Sequence, residues 1–168
     1  MDIKSKVGFL LVGVSLLAIG VHAETPSPEQ LSTDSPEQVK LKNAASSDPG
    51  EMYQLATKYE DGNGMPRDMG KAIALYRQAA ERGYVQAQTY LGVIYDKGRG
   101  VQQDDAEAIR WYRLAAEKDD PQSQFNLGVF LIKGRGTEKN EKEGWDLIRK
   151  AAGNGYKPAS AALLRVPN

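Results

Sequence analysis

The 168-residue sequence contains no cysteine and one histidine, His22. Without cysteine there is no disulfide framework, no thiolate nucleophile and no residue to acylate as a lipoprotein anchor. Excess charge is missing too. Acidic and basic side chains balance at 22 each, which gives none of the basic surplus that gathers nucleic acid. The N-terminal apolar run, Val7 to Val21, has 15 residues and is interrupted by Gly8, Gly13, Ser15 and Gly20. A helix that crosses a bilayer needs roughly 20 apolar residues.

Lys4 and Lys6 precede that run, and Val21-His22-Ala23 ends it with a small-x-small pattern. Residues 1–23 therefore read as a cleaved secretory signal peptide, which implies a periplasmic or secreted protein with no stable membrane anchor after cleavage. Cleavage would remove Asp2, Lys4 and Lys6, leaving 21 acidic and 20 basic residues, and would also remove the only histidine. The mature chain then has no zinc site built on His or Cys and no Ser-His-Asp or Cys-His arrangement. Residues 24–34, ETPSPEQLSTD, lack apolar periodicity and are expected to be a disordered spacer. Ser35, Pro36 and Glu37 then supply an N-cap, a first-turn proline and an acidic first turn, predicting an N-terminal capping helix within residues 35–47.

What the sequence does contain is repetition. Gly98-Arg99-Gly100 recurs as Gly134-Arg135-Gly136 and, in looser form, as Gly62-Asn63-Gly64, each time 36 residues apart and each time before a helical pattern. The register holds from residue 48: repeats at 48–83, 84–119 and 120–155, then a half-repeat at 156–168. Leu55, Leu91, Leu127 and Leu163 form one column; Ala79, Ala115 and Ala151 form another, and Ala80, Ala116 and Ala152 a third. Within repeat two, Ala87, Tyr90, Leu91, Ile94 and Tyr95 share one helical stripe, and Ala108, Ile109, Trp111, Tyr112, Ala115 and Ala116 another. Two short helices per repeat cannot bury these stripes alone, so stacking must stabilise them.

The glycine loops could be mistaken for phosphate cradles, but neither a Walker Lys-Ser/Thr pair nor a preceding strand accompanies them. They read instead as helix punctuation: the first glycine ends one helix and the second lets the chain reverse. Asp68, Asp104 and Asn140 stand where the next helix needs an N-cap, with Glu107 and Glu143 placed as capping-box partners. The carboxylate pairs Glu60-Asp61, Asp104-Asp105 and Asp119-Asp120 fall at helix ends, caps and turns rather than in a buried dyad. Trp111-Tyr112 has core periodicity, and Arg77 and Arg113 have Glu81 and Glu117 four residues on, predicting ion pairs on an exposed face.

Ala87, Leu91, Gly92, Tyr95, Gly98, Gly100, Val101, Asp104, Ala108, Trp111, Tyr112, Arg113, Ala115, Ala116 and Glu117 together closely resemble the Sel-one-like repeat, a relative of the tetratricopeptide repeat. The resemblance covers residues 48–155 and extends to Ala159 and Leu163. Repeat one departs at Ala56 and Met65-Pro66; repeat three departs at Leu131, Gly144 and Ile148. It implies an all-α fold, a right-handed α-solenoid of antiparallel helix pairs, whose inner surface is lined by the first helices and binds another protein. The inner-face positions are Tyr53, Gln54, Thr57 and Glu60; Thr89, Tyr90, Val93 and Asp96; and Phe125, Asn126, Val129 and Ile132.

Phe125, Val129 and Ile132 make the C-terminal end of that face the most apolar. If the half-repeat leaves them open they are a docking patch; a terminal helix over 158–165, with Leu163 and Leu164 to bury, would cover them instead. The function implied is a non-enzymatic, monomeric interaction module without metal, cofactor or nucleic-acid partner, such as an envelope adaptor or scaffold. Alternatives are an immunity protein that inhibits a secreted toxin, or a weak β-lactam or cell-wall hydrolase. The last is disfavoured: the chain lacks the disulfides of cysteine-rich relatives and any acylating Ser-x-x-Lys.

Overall fold

The computed structural model describes residues 48–165, and the expected signal peptide, spacer and capping helix all lie outside them. Among the described residues there are seven helices and no strand: α1 Pro49–Asp61, α2 Met69–Glu81, α3 Val85–Lys97, α4 Asp105–Ala116, α5 Pro121–Lys133, α6 Glu141–Gly153 and α7 Lys157–Leu163. Each packs on the next in sequence, and α3 also touches α5, giving an all-α repeat solenoid. The terminal helix spans 157–163 rather than the 158–165 read from the sequence.

Five of the seven described helices start at a capping side chain, and α3 and α7, which begin after Tyr84 and Tyr156, do not. Asp68, Asp104 and Asn140 accept backbone N–H bonds from the first turns of α2, α4 and α6, and Asp48 and Asp120 do the same for α1 and α5. The return half of the expected capping boxes is absent. In α4 the Glu107 carboxylate pairs with Arg110, and in α6 Glu143 accepts from the Asn140 side-chain amide at 2.8 Å. The cap residues' own N–H groups are already bonded elsewhere, reaching back to the carbonyls of Tyr59, Tyr95 and Leu131. That bond ties the start of each second helix to the end of the first.

The two glycines of each loop hold positive φ, for example 63° at Gly98 and 72° at Gly100. The second glycine also needs to be small. A Cβ on Gly100 would stand 2.5 Å from Met69 Cγ, and one on Gly136 2.6 Å from Asp105 Cβ, because each loop rests on the preceding repeat's second helix. A Cβ on Gly64, in the first repeat, would meet nothing within 4 Å.

Helix pairs meet through a small-residue column, Ala56, Gly92 and Gly128. A Cβ on Gly92 would lie 2.4 Å from the Tyr112 ring. In repeat three the ring is replaced by Ile148, and the pair closes further: a Cβ on Gly128 would sit 2.6 Å from the Gly144 carbonyl oxygen, and one on Gly144 2.6 Å from Ile132. This explains the departures of that repeat as a coupled set. Gly144 is small because Ile132 and the α5 backbone occupy the space an alanine would need.

The core divides. A main cluster runs from Met52 through Tyr76, Leu91, Trp111 and Tyr112 to Leu131, all buried. A smaller one gathers Phe125, Val129, Ile132, Trp145, Tyr156 and Leu163 around buried Ile148, Ala151 and Ala159. The expected Arg-Glu ion pairs of the second helices do not form. Arg77 donates to the Tyr95 hydroxyl across the repeat boundary, and Arg149 pairs with Asp146, three residues earlier.

Candidate protein-binding face

The four positions per repeat assigned to the inner face do not share one environment. In repeat one, Gln54 is exposed and Thr57 half-buried, its hydroxyl donating to the Gln54 carbonyl. Tyr53 packs among Tyr76, Tyr84 and Tyr90, with ring centroids 5.3, 5.5 and 6.4 Å away. Glu60 accepts from the Tyr76 hydroxyl at 2.8 Å and from the Tyr90 hydroxyl at 2.6 Å. Tyr90 belongs to the next repeat, so Glu60 joins two repeats. Burial first, and the bond to Glu60 second, push the Tyr90 phenol up to about 12, and the Arg99 guanidinium lies beside its hydroxyl.

Repeat two changes the expectation most. Thr89 is only 7 % exposed. Its hydroxyl donates to Asp120 Oδ1 at 3.0 Å and accepts from Ser123 at 2.9 Å, a bond network between repeats that leaves nothing for a partner. Asp96 is also committed: its side chain is 10 % exposed and pairs with Arg135 at 2.9 Å. Arg135 pairs with Asp105 at 2.5 Å as well and stacks over the Phe130 ring. The hydrogen bond from Arg135 holds the Asp105 carboxyl below the usual carboxylate range, and Asp105 in turn raises the guanidinium. Val93 remains half-buried at the face.

In repeat three Asn126, Val129 and Ile132 are half-buried, with Asn126 beside the Tyr112 hydroxyl. Phe125 stacks on Tyr156 at 5.5 Å, and Leu163 of α7 joins the same cluster. The terminal helix thus covers much of the apolar end without sealing it. Leu164, 88 % exposed, lies beyond.

The arginine between the loop glycines went unrecognised in the sequence. Glu60 and Asp96 occupy one column, Arg99 and Arg135 another, and the structure joins them across repeat boundaries: Arg135 bonds Asp96 directly, while Arg99 stands at the tyrosine that bonds Glu60. Repeat three carries Ile132 instead of an acid and repeat one carries Asn63 instead of arginine. A signal was available, since acid and arginine alternate at fixed spacing and vanish only at the two ends.

Antiparallel helix pairs stacked by such joints, with a face of first-helix side chains left over, define a helical-repeat protein of the α-solenoid class. The chain belongs to the Sel1 repeat family, which it matches over residues 52–84, 85–120 and 121–156. It is similar to the crystal structure of a Sel1 repeat protein from Oxalobacter formigenes (34 % identity, TM-score 0.73, covering 77 % of this chain and 98 % of that one). It also resembles c5321, a protective antigen present in uropathogenic Escherichia coli strains and displaying the same repeat fold (38 % identity, TM-score 0.67, covering 73 % of this chain and 26 % of that one). Helicobacter pylori cysteine rich protein B shares the fold at 23 % identity and a TM-score of 0.58, over 75 % of this chain and 90 % of that one. No curated protein matches the chain in sequence. Sel1 repeat proteins are generally protein–protein interaction scaffolds and typically non-catalytic.

Proposed function

We propose that the protein is a non-enzymatic interaction module, exported by residues 1–23, that binds a protein partner across the first-helix face as an adaptor or scaffold in the cell envelope. The observation that carries this reading is a row of side chains on α1, α3 and α5 that stay incompletely buried although most of them pack against the core on one side: Gln54 and Thr57, then Tyr90 and Val93, then Asn126, Val129 and Ile132. Half-exposed tyrosine and aliphatic groups on one rigid face are what a partner can desolvate. Thr89, Glu60 and Asp96 leave the contact set because the joints between repeats use them. Phe125 remains only as an edge residue beside Tyr156.

The non-catalytic part is supported by the structural work that one carboxylate of each adjacent acidic pair already does. Asp104 caps a helix, Asp119 pairs with Lys150 at 2.6 Å and Glu60 holds two tyrosines. The deciding experiment is affinity capture from the organism's own envelope extract, comparing the native protein with Gln54→Arg/Val93→Arg. A partner retained by the native chain and lost by the variant, with equal helicity by circular dichroism, is the expected result. A partner held equally by both would move the binding site off this face.

A further inference from the structure

The sequence contains the tripeptide Gly-Asn-Gly twice, as Gly62-Asn63-Gly64 and Gly153-Asn154-Gly155. Asparagine followed by glycine is chemically labile, because a backbone nitrogen without a neighbouring side chain can reach the asparagine amide carbon. With identical flanking residues, any difference in reactivity must come from the fold. Neither second glycine is crowded: a Cβ on either would meet nothing within 4 Å.

Their hydrogen bonds differ. Gly155 N–H donates to the Ala152 carbonyl at 3.0 Å and Asn154 N–H to the Lys150 carbonyl at 3.0 Å. The Asn154 side-chain amide donates to Gln124 Oε1 at 3.2 Å, and Gln124 is fully buried. Attack at Asn154 would therefore break bonds on both the nucleophile and the leaving group. At the other copy Asn63 N–H donates to the Lys58 carbonyl at 3.1 Å. Among the described residues, no hydrogen bond engages Gly64 N–H or the Asn63 side chain. The freedom has a structural origin. Asn63 stands in the column of Arg99 and Arg135, and its loop has no preceding repeat among the described residues to rest on.

We propose that Asn63 is a site of spontaneous deamidation and that Asn154 is protected in the folded chain. The Gly64 nitrogen attacks Asn63 Cγ; the new N–Cγ bond forms as the Cγ–Nδ2 bond breaks, the ring nitrogen loses its proton, and ammonia leaves. Water then opens the five-membered imide at either carbonyl, giving aspartate or isoaspartate at position 63. The product places a new carboxylate two residues beyond Asp61, just past the C-terminal end of α1, where negative charge is disfavoured by the helix dipole.

The test is incubation of the full chain at mildly alkaline pH, with peptide mapping by mass spectrometry to follow both asparagines, in buffer and in parallel in urea. In buffer Asn63 should convert several-fold faster than Asn154; in urea, where only the shared tripeptide remains, the two rates should converge. Asn63→Ser should remove the early acidic form on isoelectric focusing. Equal rates in buffer, faster conversion at Asn154, or no conversion at Asn63 in the folded chain would each overturn the proposal.

Discussion

At the scale of single residues, atomic spacing decides which positions tolerate change. A methyl group on Gly92 would stand 2.4 Å from a tyrosine ring that is 1 % exposed and cannot retreat. Gly92→Ala is expected to cost about 1–3 kcal/mol by overpacking, read as a lower urea midpoint. Arg135→Ala should cost about 1–2 kcal/mol by taking one of two cations from Asp96, which is 10 % exposed and keeps Lys97 at 2.9 Å, and the only one pairing Asp105 among the described residues. Its pH dependence has a definite sign. The folded carboxyl of Asp105 is depressed by Arg135, so this pairing stabilises the fold above the ordinary carboxylate range and the benefit is lost as pH falls through the depressed value. The stability gap between native and Arg135→Ala chains should therefore be constant near neutrality and narrow below about pH 4. The cap residues and the core columns were legible at this scale, because one residue type answers one local need. Thr89 was not, since its burial depends on Asp120 and Ser123 more than 30 residues away.

Between residue and molecule, each helix depends on its neighbour, and α7 shows the limiting case. It has seven residues, too few to persist alone in water. Its Ala159, Ala162 and Leu163 nevertheless join the second core cluster. Removing residues 157–168 should uncover Ile148 and Ala151, raise binding of an apolar dye and lower the melting temperature, while α1 to α4 stay helical. An unchanged melting temperature would show that α7 adds nothing to the cluster. The period of 36 residues announced the helix pairs, but it left open whether the terminal helix covers Phe125. The ring that meets Phe125 is Tyr156, the residue just before α7, a contact no periodicity reveals.

For the whole array, stability is a sum over repeats and the interfaces between them. The main cluster threads the first two repeats and the start of the third, and a smaller cluster holds the C-terminal end. Native-state hydrogen exchange should show α6 and α7 opening at lower free energy than α3 and α4; uniform protection would contradict the division. Leu91→Asp, which buries an unpaired charge at a fully buried position, should cost about 4–5 kcal/mol or more and unfold the array as seen by circular dichroism. The pairing of Arg135 with Asp96 has a consequence for length. Repeat two alone owns both a hook, Arg99, and an eye, Asp96, whereas repeat one has an eye without a hook and repeat three a hook without an eye. Of the three repeats, the middle one is thus the link that carries both halves of the joint, and a copy inserted after it would present Arg99 to Asp96.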